Sequence, residues 1–170
     1  MNVVVVSDTH MPGRARRLPR ALVADLERAD LIVHAGDFAS VDTLDLLRAF
    51  APVRGVHGNV DEPELRRLLP RRLRFQVEGR WLGVVHGDSS YLPTVQRALA
   101  EFVDQEVDLI VFGHSHKPLA RREGEVLLFN PGSPTDRRTE PRFSYGRIAL
   151  GEDGRLTAEH VWIDPLDALE

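Results

Sequence analysis

Short runs of apolar, mostly β-branched residues constrain this fold more than any other feature of the sequence. Val3 to Val6 is four valines in succession, and similar runs occupy Leu31 to Val33 and Leu109 to Phe112. None of them alternates polar and apolar residues, as a strand with one solvated face would. Such runs are typical of strands that are covered on both faces, as in parallel sheets flanked by helices. The chain is therefore predicted to be an α/β protein.

Segments with helical spacing separate these runs, and Ser40 suits the N-cap of the second one. Alternation of strand and helix through residue 112 predicts a largely parallel central sheet, with antiparallel strands added after it. The predicted helices are Leu18 to Arg28, Ser40 to Phe50, Glu64 to Leu69 and Pro93 to Asp104. The other predicted strands are Val53 to Val56, a hairpin of Arg72 to Val77 and Trp81 to Val85, Leu119 to Arg122, Val126 to Phe129, and a hairpin of Phe143 to Leu150 and Leu156 to Ile163 that turns at Asp153 and Gly154.

Polar residues that can bind metals follow five of the predicted strands. In open α/β sheets, ligands gather beyond the carboxyl ends of the strands. We therefore expect seven oxygen and nitrogen donors to converge on one edge of one sheet. They are Asp8, His10, Asp37, Asn59, His86, His114 and His116.

The number and type of these donors predict two metal ions. The chain has no cysteine, so nitrogen and oxygen atoms must hold any metal, which favours Mn, Fe, Co, Ni or Zn. One ion could not use seven side chains, but two ions that share a bridging carboxylate could. Ions about 3.5–4 Å apart polarise a phosphoryl oxygen and hold a hydroxide for in-line attack. Because Asn59 is neutral, the site would keep positive charge for an anionic substrate such as a phosphate ester.

Length and charge limit the remaining possibilities. A chain of 170 residues with 42% hydrophobic content can bury one core, so residues 1–170 are predicted to form a single domain. A net charge of −4, with no basic tail or basic block, gives no electrostatic case for a stable nucleic-acid partner. The N-terminal apolar run is too short for a signal peptide or a membrane span. A cytoplasmic protein without a membrane partner is the simplest interpretation, and a homo-oligomer is compatible with the sequence.

Five short motifs in order carry a family resemblance. They are D-x-H at Asp8 and His10, GD at Gly36 and Asp37, GN at Gly58 and Asn59, HG at His86 and Gly87, and GHSH from Gly113 to His116. Together they resemble the calcineurin-like metallophosphoesterase superfamily. The short chain, GNVD at residues 58–61 and NPGS at residues 130–133 are similar to its small bacterial and archaeal phosphodiesterases, to which the retromer scaffold subunit is related.

The resemblance implies a fold, a ligand set and a cofactor. The implied fold is a four-layer α/β/β/α sandwich of two mixed sheets flanked by helices. The implied cofactor is a pair of divalent transition-metal ions, Mn by preference, with Ni, Fe, Co or Zn as alternatives. Asp37 would bridge the ions, and with Asn59 and His86 it would form the catalytic set. The first ion would be held by Asp8, His10, Asp37 and His116, and the second by Asp37, Asn59, His86 and His114.

Two departures from the family pattern bear on specificity. Many relatives have a histidine after the asparagine, thought to protonate the leaving group, and this chain has Val60. General-acid help is worth about 10²–10⁴-fold, so poor leaving groups should suffer most. Asp88 stands where relatives often have a histidine, and it is interpreted either as orienting a ligand or as contacting water near the metals.

Several other polar residues have both a structural and a functional interpretation. His34, inside a strand, is interpreted as a satisfied buried histidine or a partner of a ligand. His57 is a loop histidine or a proton donor beside Asn59. Asp61 is interpreted as a helix N-cap or as the partner of a ligand, and the two roles are compatible. Ser133 and Arg137 are candidate contacts for a substrate phosphate, although arginines are frequent in this chain and most are expected to be solvated. His160 is expected on an exposed strand face without a role.

The sequence therefore favours a dinuclear metal-dependent phosphodiesterase that acts on a small phosphodiester or nucleotide. A phosphomonoesterase or nucleotide pyrophosphohydrolase on the same site is an alternative. A third hypothesis, from the retromer relation, is a protein-interaction scaffold. The complete donor set argues against a pure scaffold, which would have no reason to keep both His114 and His116.

Overall fold

The computed structural model describes residues 1–88, 91–151 and 154–168. Asp153 of the predicted turn lies outside these ranges. The strands are β1 (Val3–Val6), β2 (Leu31–His34), β3 (Val53–Gly55), β4 (Arg72–Val77), β5 (Arg80–Val85), β6 (Leu109–Phe112), β7 (Leu119–Glu123), β8 (Val126–Asn130), β9 (Phe143–Leu150) and β10 (Leu156–Ile163). The helices are α1 (Arg20–Leu26), α2 (Val41–Arg48), α3 (Pro63–Leu68), α4 (Thr94–Ala100) and α5 (Pro165–Ala168).

The described strands form two five-stranded mixed sheets, which confirms the α/β sandwich that the family resemblance implies. The first sheet has the order β10-β9-β1-β2-β3, with β1, β2 and β3 parallel. The second has the order β4-β5-β6-β8-β7, with β5, β6 and β8 parallel. The expectation of one central sheet is wrong. β5 pairs with β4 and β6 and not with β3, so the first sheet ends at β3 and the later strands β4 to β8 form a second sheet.

The strands after residue 112 are also not simple antiparallel additions. β8 inserts between β6 and β7 and runs parallel to β6. The sequences of the two strands explain this order. β8 is apolar and almost fully buried, whereas β7 carries exposed charged residues and takes the edge, where charge discourages pairing with other chains.

In the part of the chain that the structure describes, three apolar clusters hold the layers together. Inward-facing residues of both sheets form the central one, which includes Val5, Val84 and Phe129. Helices α1 and α2 pack on the outer face of the first sheet, and α4 packs on the second. β1, β2 and β6 are buried at every position, as their non-alternating sequences predict.

The predicted helices and strands lie where the sequence places them, but several of their first and last residues differ from the predicted bounds. The helices α1 and α4 are shorter than predicted, at seven residues each. Ser40 is the N-cap of α2, as predicted, and its Oγ accepts a hydrogen bond from the Thr43 amide at 3.3 Å. Among the described residues, no helix combines the length and hydropathy that crossing a bilayer requires.

Candidate metal centre

The seven predicted donors lie in loops that follow five strands. β1, β2 and β3 are parallel neighbours in the first sheet, and β5 and β6 are parallel neighbours in the second. The carboxyl ends of the two sets meet at one rim of the sandwich, where donor atoms from both sheets come within hydrogen-bonding distance. The structure therefore brings all seven side chains together, although from two sheets instead of one.

Five of the seven donors adopt a backbone conformation that is rare for residues other than glycine. The angle φ is +55° at Asp8, +45° at His10, +61° at Asp37, +67° at His114 and +57° at His116. Each such residue costs roughly 1–3 kcal/mol, and such residues cluster at functional sites. The loops therefore keep a strained backbone that positions the donor side chains. A loop selected for stability alone would avoid this conformation.

One group of donors comprises Asp8, His10 and His116. The Nε2 atoms of His10 and His116 lie 3.2 Å apart. Asp8 Oδ1 lies 3.8 Å from His10 Nε2 and 3.4 Å from His116 Nε2. One ligand atom from each of the three residues lies within 4.8 Å of the other two, and this spacing suits a single cation. The group joins the first sheet to the second.

The second group lies on the other side of Asp37. His86 Nε2 is 3.1 Å from Asp37 Oδ2 and 3.1 Å from Asn59 Oδ1. His114 Nδ1 also lies 3.1 Å from Asn59 Oδ1. Asp37 Oδ2 is 3.6 Å from His10 Nε2, so the carboxylate stands between the two groups. Asp8, Asp37 and His86 also have donor atoms within 4.8 Å of one another, so Asp8 is close to both groups.

Backbone carbonyls fix the orientation of two of the histidine rings. Nδ1 of His86 lies 2.7 Å from the Ala35 carbonyl oxygen, and Nδ1 of His116 contacts the Asp136 carbonyl oxygen. A carbonyl can only accept, so Nδ1 carries the hydrogen in both contacts. Nε2 of each ring then points into the rim and presents a lone pair when the imidazole is neutral, which is the tautomer that a metal-binding histidine needs.

Asp61 positions the loop that carries Asp37. Its carboxylate accepts hydrogen bonds from the backbone amides of Asp37 at 3.1 Å, Gly58 at 2.7 Å and Ala39 at 2.7 Å. Helix α3 begins at Pro63, and the residue that precedes it, Glu62, makes no side-chain cap. Of the two interpretations, the N-cap is therefore wrong, and Asp61 organises the β2 and β3 loops around the centre.

Residues after β8 hold the β1 loop from the other side. Ser133 Oγ donates to the Asp8 carbonyl at 2.7 Å, and Thr135 Oγ1 donates to the Thr9 carbonyl at 2.6 Å. Ser133 is buried and engaged in this anchoring. Arg137 reaches the Glu140 carbonyl and lies over the Phe143 ring. Thr135 and Asp136 are positioning residues that the sequence did not reveal, because no spacing rule connects Thr135 with Thr9, 126 positions earlier, or the Asp136 carbonyl with the His116 ring.

The remaining histidines have structural roles or none that the structure assigns. His34 is fully buried, accepts from the Gly36 amide at Nδ1 and contacts Thr9 Oγ1 through Nε2. Burial lowers the pKa of His34, so it is a neutral, satisfied core histidine and not a ligand. His160 is not on an exposed face as expected. It packs on Phe129, and its Nε2 lies 2.7 Å from the Asn130 carbonyl, between the sheets.

Val60 and Asp88 border the centre. The Val60 amide donates to Asp37 Oδ1 at 3.0 Å, and the Val60 side chain is 48% exposed at the rim. No proton donor therefore occupies position 60. Asp88 is exposed, and its negative charge acts to raise the pKa of the nearby His114, although burial of the imidazole outweighs this and lowers that pKa overall.

Charges within the cluster move several pKa values. Burial opposes ionisation of Asp37, yet the hydrogen bond and charge of His86 hold the pKa of Asp37 at about 2. Burial likewise opposes a charge on His86, but Asp37 and Asp8 raise its pKa to about 9. Burial raises the pKa of Asp8 to about 6. Two buried carboxylates in one cluster thus require positive charge, which a proton on His86 supplies when no cation does.

Metal uptake should therefore release a proton at neutral pH. His86 must lose the proton from Nε2 to bind a cation, whereas burial lowers the pKa values of His10, His114 and His116, which are then already neutral. We expect about one proton per protein at pH 7, and a metal affinity that rises with pH up to about 9. Calorimetry of Mn²⁺ binding in buffers with different ionisation enthalpies measures this number. A heat that is independent of the buffer would contradict the assignment of His86.

Comparisons with known proteins agree with the arrangement at this rim. The profile of the calcineurin-like phosphoesterase superfamily domain matches residues 1–153. A probable metallophosphoesterase of Methanothermobacter thermautotrophicus is 36% identical over 163 residues, which cover 95% of this chain and 92% of that protein. The profile match spans all five motifs.

Solved structures show the same fold. A Thermotoga maritima protein solved by solution NMR is 31% identical, with a TM-score of 0.73 over 95% of this chain and 99% of that one. Vps29 of Entamoeba histolytica, solved as a complex with Zn²⁺, has a TM-score of 0.73 at 23% identity, over 95% of this chain and 99% of that one. The latter likeness concerns the fold alone.

The matched profile, the curated relatives and the clustered donors support a metal-dependent phosphoesterase. Their agreement does not depend on any single short motif, because the same residues that match the family also meet at one rim. The chain belongs to the calcineurin-like phosphoesterase superfamily.

Proposed function

We propose that residues 1–170 act as one domain with a dinuclear metal-dependent phosphodiesterase activity toward a small phosphodiester or nucleotide. The ions are divalent transition metals, Mn²⁺ by preference, with Ni²⁺, Fe²⁺, Co²⁺ or Zn²⁺ as alternatives. The observation that carries the proposal is the position of Asp37. Its Oδ2 atom lies 3.6 Å from His10 Nε2 in one donor group and 3.1 Å from His86 Nε2 in the other.

The chemistry of the donors fits a pair of cations. Nε2 atoms of His10 and His116 face each other at 3.2 Å, and carboxylate and amide oxygens complete both groups. Lone pairs that converge in this way repel one another unless a proton or a cation lies among them. When bound, two ions would polarise the phosphate and lower the pKa of a water molecule for in-line attack.

The protein residues would perform the remaining tasks. Asp37 would bridge the ions, and Asn59 would add an oxygen without adding negative charge, which favours an anionic substrate. His86 and His116 would be held in place by the Ala35 and Asp136 carbonyls. Asp61, through three amide bonds, would keep the Asp37 loop from moving away from the cluster.

Val60 supports a diester substrate with a good leaving group. Without a histidine at this position, the departing oxygen receives no proton from the usual donor, and the exposed Val60 side chain offers none. Loss of such help costs about 10²–10⁴-fold and weighs most on strongly basic alkoxide leaving groups. Phosphoserine and phosphothreonine in proteins are therefore disfavoured as substrates.

The test compares bis(4-nitrophenyl) phosphate with 4-nitrophenyl phosphate. Both are offered to metal-stripped protein before and after Mn²⁺ is returned. We expect hydrolysis only with metal, and a higher kcat/KM for the diester than for the monoester. Preference for the monoester would instead support the phosphomonoesterase or pyrophosphohydrolase alternative.

The fold likeness to Vps29 supports one further candidate, a protein-interaction scaffold. The complete set of seven donors argues against it. If two ions bind per protein and neither ester is cleaved with Mn²⁺, Ni²⁺, Fe²⁺, Co²⁺ or Zn²⁺, the scaffold becomes the better interpretation.

A further inference from the structure

An arginine-lined groove lies beside the metal centre. It has a volume of about 530 Å³ and is lined by residues 14–20 together with Pro134, Thr135 and Phe143. Four of the seven residues from 14 to 20 are arginines. The whole-chain charge of −4 gives no sign of this basic segment, and the expectation that the chain has no basic block is wrong here.

The groove is joined directly to the donor residues. The Arg14 amide donates to the His10 carbonyl at 2.8 Å, so the basic segment leaves the cluster at His10. Thr135, on the opposite wall, bonds the Thr9 carbonyl at 2.6 Å. Arg14 also pairs with Asp136, whose carbonyl contacts His116 Nδ1. The groove therefore adjoins the donor cluster through the loop that carries His10 and the loop that carries Asp136.

The groove has a surplus of positive charge. Asp136 is paired with both Arg14 and Arg138, at 3.3 and 3.1 Å, so its charge is already balanced. Arg16 and Arg17 are exposed, and neither forms an ion pair with any residue in the ranges 1–88, 91–151 and 154–168. Two guanidinium groups are thus available to an anion. Arginine binds phosphate through paired, charge-assisted hydrogen bonds.

The walls between the arginines are apolar. Leu18, Pro19, Pro134 and Phe143 contribute to the lining, and Leu18 and Phe143 are only partly buried. Apolar surface between cationic groups suits an organic phosphate that has a sugar or base beside the charge. Apolar walls of this kind give no advantage to an inorganic anion, which has no apolar part to bury.

We propose that this groove binds a second phosphate group of the substrate while the first, scissile phosphate binds at the metal centre. The substrate class is then a nucleotide-type diester that carries another phosphate, held by Arg16 and Arg17. This inference rests on the proposed phosphodiesterase function and narrows it.

Two chromogenic substrates isolate the contribution of the second phosphate. Thymidine 5′-(4-nitrophenyl phosphate) has only the scissile diester, whereas the same compound with a 3′-phosphate has one additional anion and the same leaving group. The quantity measured is the ratio of kcat/KM for the second compound to that for the first. We expect the ratio to exceed one for the wild-type protein and to fall about tenfold in Arg16→Gln/Arg17→Gln. It should also fall with added salt, since the contact is exposed.

The control variant removes the same charge elsewhere. Arg48→Gln/Arg121→Gln replaces two exposed arginines that pair with Asp45 and Glu123. Arg48 lies in the last turn of α2, which leads to the amino end of β3, opposite the metal rim. This variant should keep the wild-type ratio. An equal fall in both variants would assign the effect to overall charge and overturn the inference.

The outcomes separate this inference from the proposed function. If both diesters are cleaved with a ratio near one, the phosphodiesterase stands and the groove proposal fails. A groove that binds a separate anionic effector, and not the substrate, would change the rates for both diesters alike. It would therefore also give a ratio near one. If neither diester is cleaved, binding of thymidine 3′,5′-bisphosphate and of thymidine 5′-monophosphate to the metal-loaded protein decides. Equal affinities, or an unchanged preference in Arg16→Gln/Arg17→Gln, would overturn the inference.

Discussion

Replacing Asp37 with alanine is expected to abolish phosphoesterase activity and to reduce the amount of metal bound. The carboxylate lies between His10 and His86, at 3.6 and 3.1 Å, so both donor groups lose it together. Loss of an outer hydrogen-bond partner of a metal ligand costs about 10- to 100-fold, and loss of a shared ligand should exceed this. Activity assays with Mn²⁺ and metal analysis of the dialysed protein measure the two effects.

Two further variants make this result interpretable. Asp37→Asn keeps the volume and the oxygen that accepts from the Val60 amide, and it removes only the charge. It should fold normally and still lose metal. Asp45→Ala removes an exposed carboxylate from α2 and should behave as wild type. Full activity in Asp37→Asn with two ions bound would contradict the bridging role.

The second large effect is expected for Gly113→Ala. A Cβ atom at this position would overlap Ser7 Oγ and would lie 2.7 Å from Asp8 Oδ2. Ser7 and Asp8 are fully buried, and their side chains are joined by a 2.6 Å hydrogen bond, so neither can move away cheaply. Overpacking of this kind costs about 1–3 kcal/mol or more. We expect a lower free energy of unfolding and weaker metal binding by the group that contains Asp8.

Matched variants test whether the contact with Ser7 is the cause. At Gly13 a Cβ atom would have only the His10 carbonyl oxygen as a close neighbour, at 3.5 Å, and φ is not positive. Gly13→Ala should therefore change stability by less than about 0.5 kcal/mol. Ser7→Ala/Gly113→Ala removes the nearest clashing atom and should recover part of the lost stability. If Gly113→Ala unfolds like the wild-type protein and binds the same amount of metal, the packing argument is wrong.

The strands and helices were predictable because their signals are local. Val3–Val6 and Leu109–Phe112 are apolar at every position, and burial on both faces follows from that property alone. Their partners were not predictable in the same way. Whether β5 extends the sheet that ends at β3 or starts another depends on contacts between distant residues, and residue pattern alone favoured the single sheet that the structure excludes.

The same division applies to the metal centre. His114 and His116 are recognisable because two histidines follow a buried strand, and Asp8, Asp37 and His86 follow strands in the same way. The residues that position them are not recognisable. Thr135 acts through its hydroxyl on Thr9, 126 residues earlier, and Asp136 acts through its backbone carbonyl on His116, 20 residues earlier. No local spacing rule marks either contact.

The sequence by itself therefore determined which residues form the strands, which donors follow them and what family they match, because each depends on residue type and order. Only the tertiary structure decided that two sheets supply the donors, that Asp61 supports the Asp37 loop and that residues 14–20 form a groove beside His10. The physical reason is the range of the forces involved. Burial preference and turn chemistry act between near neighbours, whereas packing of the two sheets joins residues that no local pattern relates.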